Sequence, residues 1–300
     1  MINEVYESYI KAGSIAADAL KRAESTVHEG QKVFEICEDL EEYIIKMGGF
    51  PAFPVNISQN AEAAHYTAKP GDDKKILKNS IVKIDLGVHI NGYIADTAIT
   101  VNFSPAYEGM KIANYEALMQ AISRIHAGMS FEEFGSSVQR LAKGYGFKPI
   151  ENLMGHGLDH YNLHANVSIP MVQAKARGGF IEGQAYAIEP FFVDSNASGY
   201  VIDGGHSGIY RLPSARAIKT KEYGDIIKFI WEKYVTLPFA LRWVYDQFGE
   251  SAIRALNELE RRGVIEGYNT LIESSGSYVS QFEHTILIRN GKALITSIKQ

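Results

Sequence analysis

Apolar residues recur near a 3.6-residue period at Tyr6, Ile10, Ala17 and Leu20, which predicts a first helix over residues 4–26. A second is predicted over 32–47, with Val33, Cys37, Leu40 and Ile44 on one stripe and Gly48-Gly49 as its stop. The following Phe50-Pro51-Ala52-Phe53-Pro54-Val55-Asn56-Ile57-Ser58 carries two prolines and reads as an edge strand or an extended loop. From Ile81 to Val101 the chain is rich in β-branched residues and is broken once, at Asn91-Gly92. That dipeptide between two such runs predicts a two-residue hairpin with a type I′ turn. Counting back from the turn, Ile90 faces Tyr93, Gly87 faces Asp96 and Asp85 faces Ala98. Asp85 and Asp96 then share a sheet face as diagonal neighbours, roughly 7–8 Å apart at Cα.

The same grammar returns. Helices are predicted over 108–125 and 131–143, and the second ends at Gly144-Tyr145-Gly146-Phe147. His28 and Gly30 repeat as His126 and Gly128, and Gly49-Phe50 repeats as Gly146-Phe147 at an offset one residue shorter. Two helices followed by strands, twice over, suggest an internal duplication. In that reading two α+β halves share one sheet, and a site between them draws on both. Residues 211–267 differ in texture. Helices are predicted over 221–234, 240–248 and 251–262, with strand character returning at Val264. They suggest a compact, winged-helix-like insert, so the domains are expected at 1–210 with 268–300, and at 211–267. Interspersed charges of both signs make the insert a pocket wall or lid rather than a nucleic-acid reader.

Composition changes this picture little. The chain is 46% hydrophobic and 22% charged, with a formal net charge of −5, which disfavours nucleic acid as a partner. No stretch approaches the ~20 apolar residues of a membrane span. Residues 1–11 lack the apolar core of a secretory signal. The single Cys37 lies on a helical apolar stripe, reads as a core residue and is consistent with a cytoplasmic setting.

Chemistry concentrates in a few oddities. Asp85 and Asp96 lie in runs that otherwise look buried, so either a cation joins them or one reaches solvent or caps a turn. His156 stands between Gly155 and Gly157, and His160 and His164 follow. Glu189 sits in the strand-like run Ala185–Phe192, and Glu283 in the run Val279–Ile288. Four carboxylates and an imidazole, each on a strand or beside a glycine, favour the cation.

Read together, Phe53-Pro54 with Ala64-His65-Tyr66-Thr67, Lys83-Ile84-Asp85-Leu86-Gly87 with Asp96-Thr97-Ala98, Gly155-His156-Gly157, Ile188-Glu189-Pro190-Phe191 and Gln281-Phe282-Glu283-His284-Thr285 resemble the type II methionine aminopeptidases. The short N-terminus is similar to the archaeal form. The resemblance implies the pseudo-symmetric pita-bread α+β fold, a curved, mostly antiparallel sheet with covering helices, plus the helical insert. It implies that Asp85, Asp96, His156, Glu189 and Glu283 hold two divalent ions, drawn from Co, Mn, Fe and Zn. Asp85 would serve one ion, His156 and Glu189 the other, and Asp96 and Glu283 would bridge. Glu189 would be the general base. His65 and His164 would stabilise charge near the leaving peptide and the carbonyl, and Phe53, Leu163, Tyr268 and Leu271 would wall a methionine pocket. His206 matches a pocket histidine only through poorly aligned surroundings. His160 has no counterpart, and His284 should face away from the site. The implied activity is removal of the initiator methionine from nascent chains whose second residue is small, by a cytoplasmic monomer with the ribosome as a partner. Rivals are an Xaa-Pro peptidase, which normally carries a larger N-terminal domain, and a non-catalytic ribosome-associated or growth-regulating relative, which would lack metal ligands.

Overall fold

Helix α1 (Ile2–Thr26) buries a stripe of Ala12, Ala16, Ala19 and Ala23, and these small side chains let it lie close to the sheet beneath. The computed structural model describes residues 2–219 and 222–298. Helix α2 (Val33–Lys46) packs beside α1 through Val33, Ile36, Cys37, Leu40 and Ile44. Cys37 is fully buried, and its Sγ donates to the Val55 carbonyl. Strand β1 (Phe50–Gln59) turns into the short β2 (Glu62–Ala64). Then β3 (Ile81–Ile90) and β4 (Tyr93–Asn102) form the expected hairpin. Its register pairs Ile90 with Tyr93, Gly87 with Asp96 and Asp85 with Ala98. Asn91 and Gly92 both have positive φ, 51° and 85°, as a type I′ turn requires.

The second half repeats this plan. Helices α3 (Glu108–Ile122) and α4 (Phe131–Gly144) precede β5 (Phe147–Pro149), the hairpin of β6 (Met154–Asp159) and β7 (Asn162–Pro170), and β8 (Ala185–Ile188) and β9 (Phe191–Asp194). Ser130 caps α4 by accepting from the Glu133 N–H at 3.1 Å. Phe131 and Phe134 pack on Phe180 in the core of this half. β10 (Val201–Arg211) leads into α5 (Gly224–Tyr234), β11 (Phe239–Ala240), α6 (Leu241–Phe248) and α7 (Glu250–Arg261). β12 (Glu266–Glu273), β13 (Ser280–Gln281), β14 (His284–Arg289) and β15 (Lys292–Ile295) complete the chain. The helical segment has its own hydrophobic cluster, including Ile227, Ile230, Val244, Leu256 and Leu259. The Lys221 start expected for its first helix lies outside the described residues.

One expectation needs correction. The halves do not share a continuous sheet. Among the described residues the strands form four antiparallel sheets: β1-β3-β4, β15-β14-β8-β6-β7, β13-β9-β5 and β11-β10-β12-β2. A bridge between Ala98 and Glu283 ties β4 to the chain between β13 and β14. The break covers Phe282 and Glu283, where the apolar run splits into β13 and β14. Among the described residues no helix is long and apolar enough to cross a membrane.

The hairpin turn is tightly specified. A Cβ at Gly92 would lie 2.4 Å from the Tyr161 ring, so Gly92→Ala should destabilise by more than about 1 kcal/mol, read by urea denaturation. His89 is buried between the Phe50 and Tyr161 rings and accepts from the Gly92 N–H at 3.2 Å. Desolvation, with His160 nearby, lowers its pKa to about 4. An unfolded histidine takes its proton near pH ~6.5, so the stability His89 contributes is present above that pH and is lost as pH falls towards 4. His89→Asn should therefore flatten the fall in denaturation midpoint between pH 7 and pH ~5, without abolishing it, since other buried histidines share the effect.

Candidate metal centre

The hairpin places Asp96 next to the last quarter of the chain. The Asp96 N–H donates to Thr285 Oγ1 at 2.7 Å, and that hydroxyl donates to the Asp96 carbonyl at 2.7 Å. Glu283 exchanges backbone hydrogen bonds with Ala98 at 3.0 and 3.3 Å, and its carbonyl also accepts from Thr97 Oγ1 at 2.7 Å. Asp96 and Glu283, far apart in sequence, are thereby locked side by side. His156 comes from β6. A Cβ at Gly155 would lie 2.4 Å from the Ala187 carbonyl, and one at Gly157 2.4 Å from the Ala165 carbonyl. The two glycines thus let β6 fit between β8 and β7 and carry the imidazole inward. Its Nε2 lies 3.5 Å from Asp96 Oδ2 and 3.6 Å from Glu189 Oε1.

Glu189 is not within a strand, as its apolar surroundings suggested. It occupies the break between β8 and β9, ahead of Pro190, whose missing N–H interrupts the ladder. Asn114 of α3 holds this break by donating to the Pro190 carbonyl at 3.0 Å and the Ser280 carbonyl at 2.9 Å. Gln281 reaches Asp85 Oδ2 at 3.3 Å and Glu283 Oε2 at 3.4 Å through its amide.

One ligand-type atom each from Asp96, His156 and Glu283 lie within 4.8 Å of one another. Burial raises the pKa of Asp85 to about 7. Burial, and then repulsion among these carboxylates, raises Asp96, Glu189 and Glu283 well above the usual range. Desolvation lowers His156 to about 4, so its imidazole is neutral and available as a ligand. Asp85 Oδ1, Asp96 Oδ1 and Glu283 Oε1 are buried without a hydrogen-bond partner. Such orphaned acceptors each cost about 1–3 kcal/mol or more. A divalent cation would relieve both the orphaning and the repulsion. Carboxylates with one imidazole suit Mn, Fe, Co or Zn.

A cavity of about 330 Å³ opens over this cluster, and every residue to which the family resemblance gave a site role lines it. Asp85, Asp96, His156, Glu189 and Glu283 make one side, and Phe53, Leu163 and Leu271 an apolar wall. His65, His164 and Tyr268 also line it. The His164 ring lies 4.5 Å from that of His156, and desolvation keeps it neutral. His65 has a positive φ of 66° and shares a 3.2 Å hydrogen bond between its Nδ1 and the Asn269 carbonyl. Other histidines lie elsewhere. His206 stacks near Tyr210, His160 packs against Tyr93 and Tyr161, and His284 turns away to hydrogen-bond Ser297 Oγ at 2.9 Å. Asn56, which also lines the cavity, was not anticipated, although it pairs with Asp85 across β1 and β3. Thr285 was passed over too, although it lies two residues beyond Glu283 and shares its motif.

Residues 7–290 match the model of metallopeptidase family M24. The chain belongs to that family. It is 41% identical over 297 residues to a methionine aminopeptidase of Archaeoglobus fulgidus, covering 99% of this chain and 100% of the relative. Among solved structures, a methionine aminopeptidase from Thermotoga maritima superposes with a TM-score of 0.70 at 20% identity, covering 99% of this chain and 97% of the other. A thermophilic Arx1 superposes with a TM-score of 0.84 at 19% identity, covering 99% and 91%. The curled two-half architecture of this M24 metallopeptidase is thus the pita-bread fold.

Ion binding should stabilise the folded state. After chelation, Mn²⁺ at 100 times its Kd should raise the unfolding free energy of the parent by about 2.7 kcal/mol. The same addition should do far less for Asp96→Asn. Thermal denaturation with and without Mn²⁺ measures both.

Proposed function

We propose that this metallopeptidase is a methionine aminopeptidase, removing the N-terminal methionine from nascent polypeptides whose second residue is small. The observation that carries this reading is the junction of a metal-type carboxylate cluster with a small apolar pocket in one cavity. Two divalent ions, held by Asp85, Asp96, His156, Glu189 and Glu283, would supply Lewis-acid polarisation of the scissile carbonyl and an acidified water.

The chain's own groups supply the rest. Glu189, whose pKa burial raises, is suited to take a proton from the attacking water on its carboxylate and pass it to the leaving amine. His65 donates from Nδ1 to the Asn269 carbonyl in its neutral form, which leaves Nε2 to accept the N–H of the departing peptide. His164, neutral and desolvated, places an N–H donor where negative charge develops on the carbonyl oxygen. Phe53, Leu163 and Leu271 exclude water from the methionine side chain. Its three heavy atoms beyond Cβ are worth about 2 kcal/mol there, or roughly 30-fold over alanine. The rings of His65 and Tyr268, 5.6 Å apart in the cavity lining, favour a small second residue. We further propose that it meets these chains as they emerge in the cytoplasm, near the ribosome, and acts as a monomer. We further infer that the helical segment over 211–267 is a separate inserted subdomain that supports the pocket.

Purified protein supplied in turn with Mn, Co, Fe and Zn should release methionine from Met-Ala-Ser and leave an Xaa-Pro peptide intact. Xaa-Pro cleavage without methionine release would favour the prolidase-like reading. Absence of hydrolysis with every metal would count for a non-catalytic binder. Asp96→Asn should lose nearly all turnover, and full activity in that variant would refute the ligand assignment.

A further inference from the structure

Arg242, in the first turn of α6, is 1% exposed and is the largest fully buried side chain among the described residues. Its guanidinium reaches two segments at once. Nε donates to Glu38 Oε1 at 2.9 Å and Nη2 to Glu41 Oε1, both on α2. Nη1 donates to Thr67 Oγ1 at 3.0 Å and lies 3.4 Å from the Ala68 carbonyl, in the turn that follows β2. The neighbouring Trp243 donates from Nε1 to Glu41 Oε2 at 2.7 Å. Glu41 in turn accepts from the Val55 N–H of β1 at 2.9 Å, and Thr67 Oγ1 donates to the Val55 carbonyl at 2.8 Å. Burial opposes the charge on Arg242, but Glu41 beside it more than compensates and raises its pKa.

Each segment held by this pair also lines the cavity. Phe53 stands two residues before Val55, Asn56 stands one after it, and His65 stands two before Thr67. On the insert side, Pro238 lines the cavity, and Leu237 packs in one cluster with Phe53 and Leu163. A buried ion pair adds little net stability compared with a hydrophobic pair of similar size. What it adds here is register, because the planar fork fixes several directions at once and neither lysine nor an apolar side chain can do so.

We propose that Arg242 and Glu41 are a positioning pair that sets the width of the methionine pocket by fixing the helical insert against β1 and the His65 segment. This rests on the aminopeptidase reading above. Two variants test it. Arg242→Lys keeps the charge but gives up the fork. The double variant Arg242→Met with Glu41→Gln removes both charges, so that neither is left buried alone. The readouts are steady-state kinetics on Met-Ala-Ser, the Mn²⁺ affinity by calorimetry, and the affinity of the Mn²⁺-loaded protein for free L-methionine. In a Trp231→Phe background the emission of Trp243 reports on the contact with Glu41.

Both variants should raise KM and weaken L-methionine binding by about tenfold while changing kcat and Mn²⁺ affinity by less than about threefold. The emission of Trp243 should shift to the red in both. Folded variants with the parent's KM and L-methionine affinity would overturn the proposal. So would KM, kcat and Mn²⁺ affinity all worsening together, which is what general loosening produces. If the double variant does not fold, Arg242→Lys decides. If the parent itself releases no methionine, the aminopeptidase reading fails, and L-methionine binding in parent and variants still decides whether the pair shapes this pocket.

Discussion

Four carboxyl groups and an imidazole converge in a largely buried cluster, and the rest of the structure depends on holding them there. Left alone they would repel and seek solvent, and their raised pKa values are the measure of that tendency. The fold opposes it by fixing the main chain that carries these groups. Asp96 is pinned through both of its main-chain groups by Thr285, and Glu283 through both of its own by Ala98. Glu189 hangs from a break whose carbonyl is gripped by Asn114. The carboxylates retain little freedom to separate, so a cation remains the way to settle them.

Much of this was legible in the sequence. Asn91-Gly92 fixes the turn, and the period of two then dictates every pairing in the hairpin, including which aspartates share a face. The helices followed from apolar spacing because each buries one stripe. Local pattern is silent where a position is set by a distant partner. Nothing near Glu283 reveals that it will bridge to Ala98, and the relation became visible only through the resemblance to a family. The apolar runs around Glu189 and Glu283 looked like unbroken strands, because apolar pattern reports burial and not pairing. Both are interrupted at the carboxylate, one by Pro190 and one by a change of ladder. Division into four ladders was likewise invisible, since it depends on which edges meet.

The helical segment over 211–267 shows the limit from another side. Its helices were plain, yet its tie to the N-terminal half was not. Nothing in the local pattern around Arg242, Glu38 and Glu41 points to the ion pairs that join them. Only tertiary contact buries Arg242 and Glu41, while Glu38 stays half-exposed.

The bridge between Ala98 and Glu283 also orders events in time. During synthesis the hairpin bearing Asp85 and Asp96 emerges long before Glu283 does, and the pairing has high sequence separation. Until the last strands dock, Thr285 cannot hold Asp96 and the orphaned oxygens have no fifth companion. On the ligand assignment proposed above, a nascent chain lacking its final segment would carry scattered acids in place of a hydrolytic centre. Hydrolytic competence would then be a certificate of completed folding, withheld from truncated and half-made copies.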